Sequence, residues 1–199
     1  HLAPYMRGTF VAPRAFGGGN HGTYVASRVV FGDLTREESE SSPIGDCGFL
    51  SADVANGPDT IDDKSVLPTL ETIHANYPDI RVFNLSFSNR QPLADMEEVK
   101  RKERLRLMRD LDNFAFDKDV IIVASAGNSR RGFPPSTPYP DHIEEPDWRL
   151  GTWTAGFNVL VCGSFVNELN PNGHVQEIGW PSTFTRIGPG IADSPMPDF

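Results

Sequence analysis

The chain has 199 residues and a formal charge of −9, enough length to bury one sizeable core and too acidic a balance for nucleic acid or an anionic membrane surface, both of which attract an excess of Lys and Arg. At 38% hydrophobic and 23% charged residues it has the composition of an ordinary globular domain, and no apolar run approaches the ~18 residues that a membrane-crossing helix needs. Two cysteines, Cys47 and Cys162, are too few for a disulfide scaffold; each adjoins a strand-like run, which predicts two buried, unpaired thiols and leans towards a reducing, cytoplasmic compartment. No signal peptide is visible, and with His1 rather than Met in first place the localisation stays open.

Residues 1 to 20 carry Pro4, Pro13 and three consecutive glycines, Gly17 to Gly19, without any Asp or Glu, a pattern that predicts a loop leading to a helix. From His21 to Phe31 the sequence is apolar on most sides, with Asn20 placed as N-cap and Gly32 as the stop, so a buried helix is expected with His21 in its first turn. Residues 33 to 46 are acidic and Ser-rich and read as a solvated loop. Cys47 to Val54 follows as a strand closed by a turn at Asn56 to Pro58. Pro68 to Tyr77 reads as a helix with Leu70 and Ile73 facing inward, ended by Pro78, and Ile80 to Ser88 as the next strand. Pro92 is placed at the opening of a long helix in which Leu107, Met108, Leu111, Phe114 and Ala115 recur at helical spacing. Its basic cluster, Lys100 to Arg109, stands behind Glu97 and Glu98, an order that suits a helix dipole and a solvated face.

The stretch from Asp119 to Asn128 is continuous, rich in β-branched residues and too short for a typical helix, so it reads as a central parallel strand buried on both faces. The Pro-rich loop from Arg130 to Pro146 is too long for a plain connector and is a candidate rim for a cleft. Asp141, His142, Glu144, Glu145 and Asp147 crowd this loop and are read as a hydrated acidic surface rather than a metal site. Asn158 to Phe165 is a further buried strand, followed by a hairpin turn at Asn172 and Gly173. Strands alternating with helices imply right-handed crossovers. The expected class is therefore α/β, a three-layer, mainly parallel sheet with helices on both faces, in a single domain over residues 1 to 199.

Three short signals carry chemistry: His21-Gly22-Thr23 at a helix start, Asn84 to Ser88 at one strand end, and Ala126-Gly127-Asn128 at the next. In open α/β sheets ligands bind at the carboxyl ends of strands, where two of these signals fall. Ala126 and Gly127 are small enough for another chain to approach the backbone, and Asn128 presents an amide NH2 donor. That is the make-up of an oxyanion hole.

In this order the segments resemble the subtilisin-like serine proteases over nearly the whole chain. His-Gly-Thr-Tyr-Val-Ala at 21–26 looks like the family's His-Gly-Thr-His-Val-Ala, Asn84 to Ser88 like its Asn-Met-Ser-Leu-Gly strand, and Ser125 to Asn128 like its Ala-Ala-Gly-Asn segment. Pro181 to Arg186, with Met196-Pro197-Asp198, resembles its Ser-Phe-Ser-x-x-Gly and Lys-Pro-Asp stretch. The resemblance implies a serine endopeptidase in which His21 is the general base and Asn128 the oxyanion donor, while Ser86, Phe87 and Ser88, with Ser125, Ala126 and Gly127, bind a polypeptide substrate. It also admits calcium, for which no ligand set is identified, so no cofactor is assigned.

The family's Asp-Ser/Thr-Gly and Gly-Thr-Ser motifs do not occur in the 199 residues; Gly151-Thr152-Trp153 has Trp where the serine should stand. The expectation is a domain truncated at both ends, a fragment inactive on its own from an active parent. Two other classes stand beside this one. A non-catalytic peptide-binding module would keep the groove segments without the nucleophile. A dinucleotide-binding domain would use Gly17 to Gly22 as its fingerprint, although Pro13 and Arg14 stand where a strand should precede it.

Overall fold

The computed structural model describes residues 2–11, 21–32, 44–57, 60–88, 91–129, 137–171, 173–175, 177–190 and 195–197. The proposed cap Asn20, Gly17 to Gly19, the acidic stretch 33–43, Pro58, residues 130–136, Asn172 and Asp198 lie outside the described residues. Contacts divide the chain into two compact units, His1–Pro78 and Asp79–Phe199.

In the first unit the expected loop over residues 1 to 20 gives way to a strand. β1 (Met6–Val11) runs parallel to β2 (Phe49–Asp53), with Thr9 opposite Ser51 and Val11 opposite Asp53. Arg7, Gly8 and Thr9 follow no apolar alternation, so this strand exists through its partner rather than through its own pattern. Cys47 lies just before β2 and is exposed, not buried, with its thiol on the Val29 carbonyl at 3.5 Å. α1 (His21–Phe31) has the expected span, and Gly32 at φ +71° closes it with its N–H on the Arg28 carbonyl at 2.9 Å. The helix is not buried, however. Val30 is its one buried residue, and Tyr24 is 59% exposed. Its apolar residues run round more of the surface than is covered by Tyr5, which meets Phe31 edge-on at 5.4 Å, and by Asp46, whose N–H reaches the Val30 carbonyl.

The short strands β3 (Ala55–Gly57) and β4 (Thr60–Ile61) pair antiparallel, so Asn56, expected in a turn, stands in a strand, while Pro58 of that turn lies outside the described residues. α2 (Asp63–Asn76) begins ahead of Pro68, which sits inside it, because the Asp62 carboxylate caps the Lys64 N–H at 3.2 Å. Burial of Val66, Leu70 and Ile73 along one face offsets the hydrogen bond that the proline cannot donate.

The second unit is built on three parallel strands in the order β5 (Val82–Leu85), β6 (Ile121–Ser125), β7 (Val159–Cys162), so the expected central strand is indeed central to this sheet. α3 (Glu98–Asp117) links β5 to β6. It starts at Glu98 because Met96 returns to extended backbone, and Pro92 opens a separate 3-10 turn (Leu93–Asp95). Met108, Leu111, Phe114 and Ala115 form its buried face, with Phe114 edge-on to Phe83 at 5.7 Å. On its solvated side Lys102 pairs with Glu98 at 2.6 Å. Asp119, at φ +51° and paired with Arg81, turns the chain into β6.

Within this unit the described strands bury one face more fully than the other. Phe83, Leu85, Ile122, Ala124, Val159 and Val161 lie inside, whereas Val82, Ile121 and Leu160 are 58%, 50% and 41% exposed. Side chains alternate across a strand, and the side bearing Phe83 is the one packed against Phe114 of α3.

Candidate active site

The carboxyl ends of β5 and β6 bring together the two groups of residues singled out from the sequence in this unit. Leu85 stands opposite Ala124, so the chains leaving the two strands run side by side. Hydrogen bonds shape both exits, two of them local and one to the end of β7. Asn84 Nδ2 donates to the Ser86 hydroxyl at 2.8 Å, the Gly127 N–H to the Ser125 hydroxyl at 3.2 Å, and the Ala126 N–H to the Cys162 carbonyl at 2.8 Å. Gly127 takes φ +86°, and a Cβ built on it would lie 2.1 Å from Ser88 Oγ and 2.5 Å from Ser88 Cβ. The absence of a side chain is therefore required twice, by the left-handed backbone and by Ser88.

Phe87 meets Trp153 edge-on at 6.2 Å. Trp153 belongs to the buried 3-10 turn Thr152–Thr154, so Gly151-Thr152-Trp153 serves as packing in this unit. The turn's continuation is held by α3: the Asp112 carboxylate accepts the Phe157 N–H at 3.0 Å and the Asn158 N–H at 2.9 Å just before β7 begins.

Asn128 itself is exposed, and its backbone bridges antiparallel to Thr185. The Ser129 N–H reaches the Phe184 carbonyl at 2.8 Å, and the Arg186 N–H reaches the Gly127 carbonyl at 3.1 Å. Thr185 Oγ1 in turn accepts the Ser164 N–H at 3.0 Å. Residues 182–186, known from the sequence only through their resemblance, thus form the second side of the Gly127–Asn128 corner. No local pattern in Ser-Thr-Phe-Thr-Arg announces this, because the pairing is with a segment far away in the chain.

The loop ahead of this segment mixes surface and core. Asp141 and Glu144 are exposed, as expected of a hydrated acidic loop, but His142 and Trp148 are wholly buried. His142 Nε2 and Trp148 Nε1 both contact the Thr183 carbonyl, at 3.1 and 2.8 Å, and Tyr139 donates its hydroxyl to the Pro181 carbonyl at 2.8 Å. Burial pushes the His142 imidazole below its ordinary value, opposed by the bond to Thr183 and the nearby Glu145 and Asp141. Burial also raises the Tyr139 phenol. Among the described residues no group of three or more His, Cys, Asp or Glu could hold a metal ion. In this loop His142 turns inward, and Glu145 takes the Thr137 hydroxyl. No calcium ligand set is assigned.

His21 belongs to the first unit, where it occupies the exposed first turn of α1. Ser86, Phe87, Ser88, Ser125, Ala126, Gly127 and Asn128 all belong to the second.

The subtilase family model matches residues 13–199. An uncharacterized protein of Sinorhizobium fredii (strain NBRC 101917 / NGR234), y4bN, is 31% identical over an aligned length of 132 residues, with 59% of this chain and 30% of that protein covered. The structure of the prenylagaramide maturation protease PagA is similar at a TM-score of 0.50 and 16% identity, covering 91% of this chain and 51% of that chain. A serine-to-alanine mutant of the protease domain of PatA is similar at a TM-score of 0.53 and 19% identity, covering 92% of this chain and 54% of that chain. These two show likeness of fold. The chain spans 30% of the curated relative and about half of each solved chain.

Proposed function

Because the chain belongs to the subtilase family, we propose that the protein carrying it is a serine endopeptidase that works through a Ser-His-Asp triad, and that residues 1–199 are part of its peptidase domain. His21 takes the proton of the attacking serine hydroxyl and returns it to the leaving amine. Asn128 donates its side-chain amide to the developing oxyanion. Ser86, Phe87 and Ser88, with Ser125, Ala126 and Gly127, lie along a substrate polypeptide that docks as an added strand.

The observation that carries this reading is the meeting of Gly127 with Ser88 at the ends of two neighbouring parallel strands. It makes a corner that presents backbone and ends in the exposed Asn128. The fold likeness to PagA, a maturation protease, and to the protease domain of PatA supports a polypeptide as substrate.

Neither the Asp-Ser/Thr-Gly nor the Gly-Thr-Ser motif occurs in these 199 residues. The 199-residue chain alone is therefore expected to take no serine-directed fluorophosphonate label and to hydrolyse no peptide. In the full-length protein, His21→Ala should abolish turnover while folding is kept. Asn128→Ala should lower kcat on the order of 10²–10³ with little change in KM, a magnitude established for this family rather than worked from this structure. A rise in KM alone would remove Asn128 from the oxyanion role. Peptide binding by the full-length protein with neither cleavage nor labelling would point instead to the non-catalytic peptide-binding module.

A further inference from the structure

We propose that His142 and Trp148 are positioning residues for the Gly127–Asn128 corner, acting through the Thr183 carbonyl that both of them hold. The Thr183 oxygen accepts the Trp148 indole N–H at 2.8 Å and lies 3.1 Å from His142 Nε2. A carbonyl can only accept, so Nε2 carries the proton, and the neutral ring keeps Nδ1 as its acceptor. Two ring donors on one oxygen occupy both of its lone pairs and fix the direction of that peptide group. The rings themselves are immobilised. Both are 0% exposed and cross edge-on at 5.2 Å, while Tyr139 lies tilted against His142 at 5.4 Å and holds the Pro181 carbonyl at 2.8 Å.

From this anchor the next residues run directly to the corner. Phe184 accepts from Ser129 at 2.8 Å, Thr185 stands opposite Asn128, and Arg186 donates to the Gly127 carbonyl at 3.1 Å. The ladder therefore inherits its register from Thr183. Burial favours the neutral imidazole, the form compatible with an aromatic surround. A donor that stabilises a developing charge must be held to within about 0.5 Å by residues whose own rotamers are locked, and His142 and Trp148 are locked in that sense. The inference rests on the role proposed for Asn128, and one of its tests does not.

His142→Phe keeps an aromatic ring and loses the donor, Trp148→Phe does the same from the other side, and His142→Gln restores a side-chain N–H. In the full-length protein, kcat per fluorophosphonate-titrated site should fall about tenfold in the two Phe variants, with KM changed less than about twofold, and recover in His142→Gln. Amide hydrogen exchange at Ser129 and Arg186 needs no activity. It should quicken about tenfold in His142→Phe and return towards wild type in His142→Gln. Unchanged exchange at both amides in folded variants overturns the positioning role, whatever the enzyme does. Uniform quickening across the unit with kcat per site unchanged overturns it as well, because a purely structural side chain would do the same. Selective quickening in a protein that cleaves no peptide supports the positioning role and refutes the peptidase.

Discussion

Replacing Gly127 by alanine should destabilise the second unit through two separable costs. The first is the backbone: φ +86° is left-handed, where a residue with a Cβ pays roughly 1–2 kcal/mol. The second is steric, because the new Cβ would lie 2.1 Å from Ser88 Oγ and 2.5 Å from Ser88 Cβ. The Ser88 hydroxyl can rotate away, but its Cβ can retreat only if the chain beyond β5 moves, and such overpacking costs about 1–3 kcal/mol. Gly127→Ala is therefore expected to cost about 2–5 kcal/mol. Ser88→Gly removes both clashing atoms. In the double variant the steric share should return and the backbone share remain, giving a coupling of about 1–3 kcal/mol in a double-mutant cycle. Urea unfolding of the four proteins measures this, with tryptophan fluorescence as a local probe, since Trp148 and Trp153 are buried in the same unit. A Gly127→Ala protein within about 0.5 kcal/mol of wild type, or a coupling near zero, would refute the reasoning.

Further outcomes follow from other contacts. Asp112→Ala removes a carboxylate that accepts two backbone N–H groups at 3.0 and 2.9 Å, and since water can reach the exposed turn it should cost about 2–4 kcal/mol; less than about 1 kcal/mol by denaturant titration would mean the staple is dispensable. His142 titrates below its ordinary value of 6.5 in the folded chain, so the stability it contributes is present above that value and is lost as pH falls through the lower, folded one. Acidification from about pH 7.5 to about pH 5 should therefore cost the wild type more stability than His142→Phe, and parallel losses in the two proteins would contradict a neutral buried ring. Cys47, exposed, should react with a thiol reagent before the half-buried Cys162, and the unfolded, unreduced chain should show both thiols; finding neither would require a disulfide.

Sequence pattern alone determined a good deal. The apolar spacing of Met108, Leu111, Phe114 and Ala115 placed the inner face of α3, and the β-branched run at 121–125 placed the central strand of its sheet. Gly32 marked the end of α1. These are local facts, set by repeats of two to four residues that a reader of the chain can see. The four motifs in order likewise sufficed for the family. Tertiary structure decided the rest. β1 became a strand because β2 lies beside it, not because Arg7, Gly8 and Thr9 favour one. α2 runs through Pro68 because its buried face outweighs one missing hydrogen bond. α1 and β6 are equally apolar to the eye, yet each buries only the side on which the fold places a neighbour. The corner at Gly127 depends on Ser88 on one side and on residues 184–186 on the other, and that second edge is set by Thr183 with His142 and Trp148, partners 41 and 35 residues back in the chain. Such adjacency has no local signature. It exists only once parallel strands have paired in one register, because that pairing determines which distant backbones share an end of the sheet.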